Sequence, residues 1–358
     1  MSVILAGDIG GTKTLLRLAE KNANGFKVLY EQRFAGADYA NFSDVLREFI
    51  TKAKTHLGEH LEDLSPLSGA CFGIAGPVHD RGSQLTAQLT NLGWSFDSDR
   101  LAEELHVSKV SLINDFVAVG YGVLGLQPDD LCTLQAGQVV ARSPIGVIGA
   151  GTGLGEAFLG WDGDRYKVYP TEGGHADFAP RNELEIELLR YLQKRHDRVS
   201  VERVASGTGI VAIYQFLRDR QSAPESVEIA QKVRQWESGD THSGAAAAIA
   251  NVALANFGIG KVNSDNVNYL AMQTMQMFVE AYAAEVGNLA LKLIPNGGLY
   301  IAGGIAPKIL PLLQDGTFLR ILKNKGRISS VLEDIPIHIV LNPQVGLIGA
   351  MLYAASFI

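Results

Sequence analysis

The chain has 358 residues, 47% of them apolar and 19% charged, with 39 glycines and a net charge of −7. That length suits two domains, and a chain this apolar and weakly charged buries a large core, which excludes disorder. The acidic balance offers no basic face for nucleic acid, and two cysteines, Cys71 and Cys132, make neither a disulfide framework nor a four-cysteine zinc site.

From the N-terminus, Val3–Ala6 is an apolar run that stops at Gly7-Asp8-Ile9-Gly10-Gly11-Thr12. Lys13–Ala19 resumes a strand pattern, and Phe26–Phe34 follows the turn signal Asn22-Ala23-Asn24-Gly25. These predict an antiparallel strand pair and a third strand, with a glycine-rich loop at the first bend. Ser43 reads as the N-cap of a helix with Val45, Leu46, Phe49, Ile50 and Ala53 at helical spacing. Gly69–Ala75 and Val107–Ile113 are further strands, which makes the first half βββαβαβ.

Near residue 145 the pattern starts again. Ile145–Gly149 is a strand, Ala150-Gly151-Thr152-Gly153 a bend, Leu154–Trp161 a second strand and Tyr166–Tyr169 a third. The duplication is one of topology, about 140 residues apart, rather than of identity. Helices are expected over Glu183–Lys194, Gly207–Arg218, Ser226–Glu237, Ser243–Asn256 and Asn268–Leu293, with Gly260–Asn268 as a loop between the last two. Strands Gly298–Ala302 and Ile337–Leu341, a helix starting at Pro307–Leu313 and a terminal helix Val345–Ala355 complete the chain. The most apolar stretches, Ala245–Ala255 and Ala281–Ile294, are broken by Asn251 and by Glu285, Asn288 and Lys292, so neither is expected to span a membrane. The N-terminus lacks the basic region of a signal peptide, and the expectation is a cytoplasmic protein.

Three glycine bends stand at strand ends. In Gly7–Thr12, glycines let backbone N–H groups approach an anion, while Asp8 could hold Mg²⁺ through water; a plain hairpin would look the same. Gly151-Thr152-Gly153 leads into a strand rather than a helix, so a dinucleotide fingerprint is a poor reading and a second phosphate cradle a better one. Gly303-Gly304 suits close approach by a flat ligand such as a base. All three together favour a nucleotide.

Asp115, in Asn114-Asp115-Phe116, closes a strand where a carboxylate could accept a hydroxyl proton, or could simply cap the following helix. Glu172-Gly173-Gly174-His175 could present acceptors to a polyol, hold a metal, or be structural. Glu202 reads first as a surface pair with Arg203 or Arg198, and Asn91 as a turn residue that could reach a hydroxyl.

Together Gly7–Thr12, Leu89-Thr90-Asn91 with Trp94, Ile113–Phe116, Gly149–Gly155, Glu172–Pro180, Glu202–Gly207 and Ile301–Pro307 resemble the bacterial glucokinase family, in order and over nearly the whole chain. The resemblance implies a two-domain α/β fold of the actin-like, hexokinase type, with an interdomain cleft. Residues 1–124 plus a C-terminal helix at 342–358 would form the small domain and 125–341 the large one. It implies ATP-dependent phosphorylation of glucose at the 6-hydroxyl, with Asp115 as general base. Asn91, Asn114, Asp115, Glu172, His175 and Glu202 match sugar-binding positions. Gly7, Asp8, Ile9, Gly10, Gly11 and Thr12 match the first ATP loop, and Gly151, Thr152, Gly153, Gly303 and Gly304 the other nucleotide contacts. Mg²⁺ and a homodimer are implied too. A cysteine-rich zinc motif of the wider repressor/kinase group is missing, so zinc is not expected. A kinase for another hexose and a non-catalytic sugar sensor remain as alternatives.

Overall fold

The computed structural model describes residues 2–23, 25–58, 67–82, 84–89, 91–241, 243–257 and 268–357. The expected loop at 260–268 therefore lies outside the described residues except for Asn268. The chain divides into two units, one of Met1–Asp130, Lys167–Pro170 and Asn342–Ile358, the other of Leu131–Tyr166 and Thr171–Leu341.

The first unit opens with β1 (Ser2–Ile9), β2 (Lys13–Asn22) and β3 (Gly25–Ala35), followed by helix α1 (Phe42–Leu57). Then come β4 (Leu67–Ile74), a meander of β5 (Val78–Asp80), β6 (Leu85–Leu89) and β7 (Trp94–Asp97), and helix α2 (Ser98–Leu105). Strand β8 (Val110–Asn114) runs straight into helix α3 (Asp115–Gly122). The main sheet has the order β3-β2-β1-β4-β8, antiparallel for the first three strands and parallel from β1 to β4 and β8.

Strand β1 shows why both faces of this sheet must be covered. Alternate residues point to opposite faces, and Val3, Leu5 and Ile9 enter a core with Phe42, Phe49, Phe72 and Trp94. Ile4 and Ala6 enter another with Cys71, Ile113, Leu347 and Ala350. The second core is closed by the last helix, whose range is given below. Each fully buried large side chain contributes about 1.5–3 kcal/mol, so neither face could be left in water.

The second unit repeats the pattern. After β9 (Leu131–Gln135) come β10 (Ile145–Ala150), β11 (Leu154–Trp161) and β12 (Tyr166–Thr171), then helices α4 (Glu183–Gln193), α5 (Gly207–Asp219), α6 (Val227–Glu237), α7 (Ala245–Ala255) and α8 (Tyr269–Leu293). Strand β13 (Leu299–Ala302), helices α9 (Leu310–Gln314) and α10 (Thr317–Lys323), and β14 (Ile337–Val340) precede α11 (Val345–Ala355), the helix that covers β1. The sheet order is β12-β11-β10-β13-β14-β9, with β10 antiparallel to β11 and parallel to β13. All of β10 is buried, and α8 is buried nearly all round, which fits its mixed apolar face. No helix among the described residues is long and apolar enough to cross a membrane.

Three details differ from expectation. The N-cap of α1 is Asn41, whose Oδ1 accepts from Asp44 N–H at 3.0 Å, while Ser43 donates instead to Glu104 Oε2 at 2.8 Å. Strand β8 starts at Val110 rather than Val107, because His106 takes a left-handed turn (φ 53°) and Val107 N–H closes α2 on Ala102 O. The β5–β7 meander, β9 and α10 were not expected at all. Asn41→Ala should lower unfolding free energy by about 1 kcal/mol, read by urea denaturation; a loss in Ser43→Ala as large as that in Asn41→Ala would contradict this cap.

Candidate active site

In the first unit the polar residues gather where parallel strands end. Asp8 is the penultimate residue of β1, in register with Gly73 of β4, and Asn114 is the last residue of β8, opposite Ile74. Asn114, not Asp115, caps α3: its Oδ1 accepts from Phe116 N–H at 2.9 Å and Val117 N–H at 3.3 Å. Its amide also donates to Gly76 O at 3.2 Å, tying β8 to the chain leaving β4. Asp115 is thus freed from capping and stands as the first helical residue, its Oδ1 accepting from Phe116 N–H at 2.9 Å.

Asp8 feels the Asp115 charge. Burial, with the Asp115 charge added to it, pushes the Asp8 carboxyl up to about 6. Burial also raises Asp115, while the Phe116 N–H and the Asn114 side chain pull it back down. The first glycine bend is closed by Gly10 N–H on Lys13 O at 2.9 Å. Asn91 lies over it, close enough that a Cβ at Gly11 would meet its amide nitrogen. A cavity of about 290 Å³ beside Asp8 is lined by Lys13, Arg33, Asn342 and Gln344. Two cations therefore border the bend that the sequence assigns to an anion.

In the second unit, Glu172 and His175 flank one turn, with Glu172 Oε2 3.6 Å from His175 Nδ1 and side chains 91% and 57% exposed, respectively. The strip after them is stitched to the one before α5. Val201 N–H donates to Ala176 O at 2.8 Å, Phe178 N–H to Val199 O at 3.0 Å, and Arg198 reaches His175 O and Asp177 Oδ1. That stitching brings Glu202 beside the histidine's segment. Glu202 does not pair with Arg198 or Arg203: Arg198 is taken by Asp177, and Glu202 Oε2 accepts from Leu154 N–H at 2.9 Å, just past the second glycine bend.

That bend is held by its own backbone. Gly151 N–H donates to Gly153 O and Gly207 N–H to Gly151 O, both at 2.8 Å, fixing it against the start of α5. Gly303 sits at φ +83° with Ala150 backbone atoms where a Cβ would go, so only glycine fits between β13 and the end of β10. Gly151, Thr152 and Gly304 share a cavity of about 260 Å³ with Trp236, Asn251 and Lys308. A cavity of about 510 Å³ lies elsewhere, lined by Val3, Phe49, Ile50 and Leu67, and contains none of these residues.

A family model described as glucokinase matches residues 5–357. The chain belongs to the glucokinase family. It is 54% identical to a glucokinase of Trichormus variabilis over 358 residues, 99% of each chain. Among solved structures it resembles a glucokinase from an Antarctic psychrotroph (27% identity, 99% of each chain, TM-score 0.77). In fold it also resembles a Streptomyces griseus glucokinase of the ROK family, solved with glucose and AMPPNP (18% identity, 99% of this chain and 100% of that one, TM-score 0.61).

Trp236, Asn251 and Lys308 escaped the sequence reading of the site. Asn251 left a signal, a lone amide in an alanine-rich helix; the other two look like ordinary surface residues until folding brings α6, α7 and the segment after β13 together. For Mg²⁺, the described residues hold no cluster of three or more His, Cys, Asp or Glu. A single half-buried carboxylate, Asp8, still fits an ion that keeps most of its waters and takes its remaining ligands from phosphates.

The raised Asp8 pKa has a definite sign. A carboxyl whose folded pKa exceeds its unfolded value is neutral at no cost below about 4 and destabilises increasingly as pH rises through about 6. Asp8→Asn should therefore gain stability over the parent at pH 8 but not at pH 4, in paired denaturant titrations. An equal difference at both pH values would contradict this.

Proposed function

We propose that this chain transfers the γ-phosphoryl group of ATP to the 6-hydroxyl of D-glucose, with Asp115 as general base. The transfer follows from a family match spanning residues 5–357. The Asp115 assignment rests on one observation: Asn114 takes over the helix cap, leaving an acidic side chain at a strand end whose donors are its immediate neighbours, the Phe116 N–H and the Asn114 side chain. Partial burial raises its basicity, while the Phe116 N–H at the helix N-terminus and the Asn114 side chain pull the other way.

Phosphoryl transfer through a loose transition state needs alignment and charge neutralisation more than covalent help. Asp115 hydrogen-bonds the 6-hydroxyl, aims its oxygen at the γ-phosphorus and takes the proton late. Asn91, Asn114, Glu172, His175 and Glu202 hold the other hydroxyls. The exposure of Glu172 and His175 leaves both side chains free for a polar ligand. Glu202 accepts from Leu154 N–H through one oxygen only, so the second can take a sugar hydroxyl. Backbone N–H groups of Gly7–Thr12 and Gly151–Gly153 receive the phosphates, and Gly303-Gly304 borders the base. Mg²⁺, when bound, neutralises charge on the β- and γ-phosphates, and Asp8 is the residue that would hold it, through water. The Streptomyces griseus complex with glucose and AMPPNP supports the same pair of ligands on this fold.

The deciding experiment is phosphorylation of glucose, mannose, fructose and N-acetylglucosamine with Mg²⁺-ATP. Glucose is expected to be preferred; preference for another hexose would move the error to the sugar-binding residues, and sugar binding without turnover would indicate a sensor. Asp115→Asn should keep the fold by circular dichroism and lose about 10²–10⁴-fold in kcat. Near-wild-type turnover in that variant would sink the assignment. His175→Ala should raise the glucose KM with a smaller change in kcat; an unaltered KM would make the histidine structural.

A further inference from the structure

Beneath the Glu172–His175 turn lies a carboxylate that the reaction does not use. Glu156, on β11, is 3% exposed, and Glu285, on α8, is 6% exposed. Each has one carboxyl oxygen, Oε1, that is buried and without a hydrogen-bond partner. Their surroundings are incompletely neutralising. Glu285 Oε2 accepts from Asn288 Nδ2 at 2.8 Å, and Asn288 Oδ1 accepts from Lys325 Nζ at 2.6 Å. Lys292 Nζ is 3.8 Å from Glu285 Oε1 but is itself half in water. Tyr282, one turn earlier on α8, also feels the Glu156 charge, and Arg181 acts on Lys325.

Glu156 touches the sugar turn and its supports. Gly173 rests on the Glu156 carboxylate so closely that a Cβ there would overlap Oε2. Thr171 Oγ1 donates to Glu156 O at 3.2 Å and accepts from Gly173 N–H at 3.2 Å. Two residues along β11, Leu154 N–H holds Glu202. Tyr282 Oη accepts from Ala150 N–H at 3.2 Å, at the head of the second glycine bend. A change of charge or bonding at Glu156 would be felt in the turn resting on it.

We propose that Glu156, protonated in its buried seat, is a positioning residue that holds the Glu172–His175 turn in place for glucose. A buried carboxyl with an unpaired oxygen and a like charge nearby ionises only at cost, so Glu156 keeps its proton until the solution is alkaline enough to remove it. Burial, with the Glu285 charge behind it, pushes the Glu156 carboxyl up to about 7, Lys292 pulling the other way. Loss of that proton puts a second charge against the backbone of Gly173 and loosens the turn above it.

The inference rests on Glu172 and His175 being sugar ligands, and the test separates the two ideas. Glucose KM and kcat would be measured from pH 5.5 to 8.5 for the parent, Glu156→Gln, Glu285→Gln and His175→Ala, alongside denaturant unfolding without substrate. Glutamine keeps the shape of protonated Glu156. The parent KM should rise about fivefold across the range, with a smaller change in kcat. Glu156→Gln should keep the low-pH KM throughout and grow more stable than the parent as pH rises. Glu285→Gln, with the like charge gone, should move the KM rise to higher proton concentration, and it carries the test alone if Glu156→Gln does not fold. Differences in unfolding between Glu156→Gln and the parent that do not vary with pH would overturn the proton held by Glu156. A KM in Glu156→Gln that climbs in parallel with the parent, while His175→Ala still raises KM, would overturn the positioning role alone. An unaltered KM in His175→Ala would overturn the sugar reading and this one with it.

Discussion

A strand covered on both faces has no room for a polar side chain except at its ends, and that constraint arranges nearly everything else in this protein. Strand β1 feeds one core with Val3, Leu5 and Ile9 and another with Ile4 and Ala6, so its first carboxylate comes only at Asp8. Strand β8 is buried until its last residue, Asn114, and β10 is buried to its last residue before the glycine bend. Because β1, β4 and β8 are parallel, their polar ends fall on one edge of the sheet. Ligands of open α/β sheets bind at such carboxyl ends for this reason. The chemistry is placed by the packing rather than added to it.

The constraint also explains the cost of the carboxylates. Asp8 and Asp115 are both raised by burial, and the Asp115 charge adds to the cost at Asp8. Asp115 is offset by Phe116 N–H and the Asn114 amide, while Asp8 has the longer climb, to about 6. The two therefore differ in proton affinity although they are the same residue type. Divergent environments for a pair of acids are how one site can hold both a proton acceptor and a cation-binding group.

Much of this was legible in the sequence, and the misses have physical causes. The duplicated strand–bend–strand pattern showed because glycine bends and apolar runs are local signals. The terminal helix Val345–Ala355 showed for the same reason, as a run of small and apolar residues with no charge. Ser43 was mistaken for the cap because both Ser43 and Asn41 are good N-cap residues, and only the side-chain hydrogen bonds choose between them. Glu202 was read as a surface ion pair because its true partner, Leu154 N–H, is 48 residues away. Trp236 and Lys308 depend on helix packing across the second unit, which no local pattern encodes.

Glu156 tests the constraint from the other side. It sits within a strand, not at its end, and is the kind of residue that the alternation of β11 should exclude. Within that sheet Glu156 faces the polar residues that interrupt the apolar run of α8: Lys292 offsets part of its charge, while Glu285, bonded by Asn288, adds to its cost. Two breaks in separate apolar patterns thus act on one another, and one of them, Glu156, lies under Gly173 of the Glu172–His175 turn. Where a chain breaks its own local rule twice and the two breaks interact, function is the usual reason. A purely structural filler would need neither charge, since a leucine opposite an alanine would bury more apolar surface without an unpaired oxygen. An acid kept at this position at such a cost is what the proposed proton-dependent seating of the turn would require.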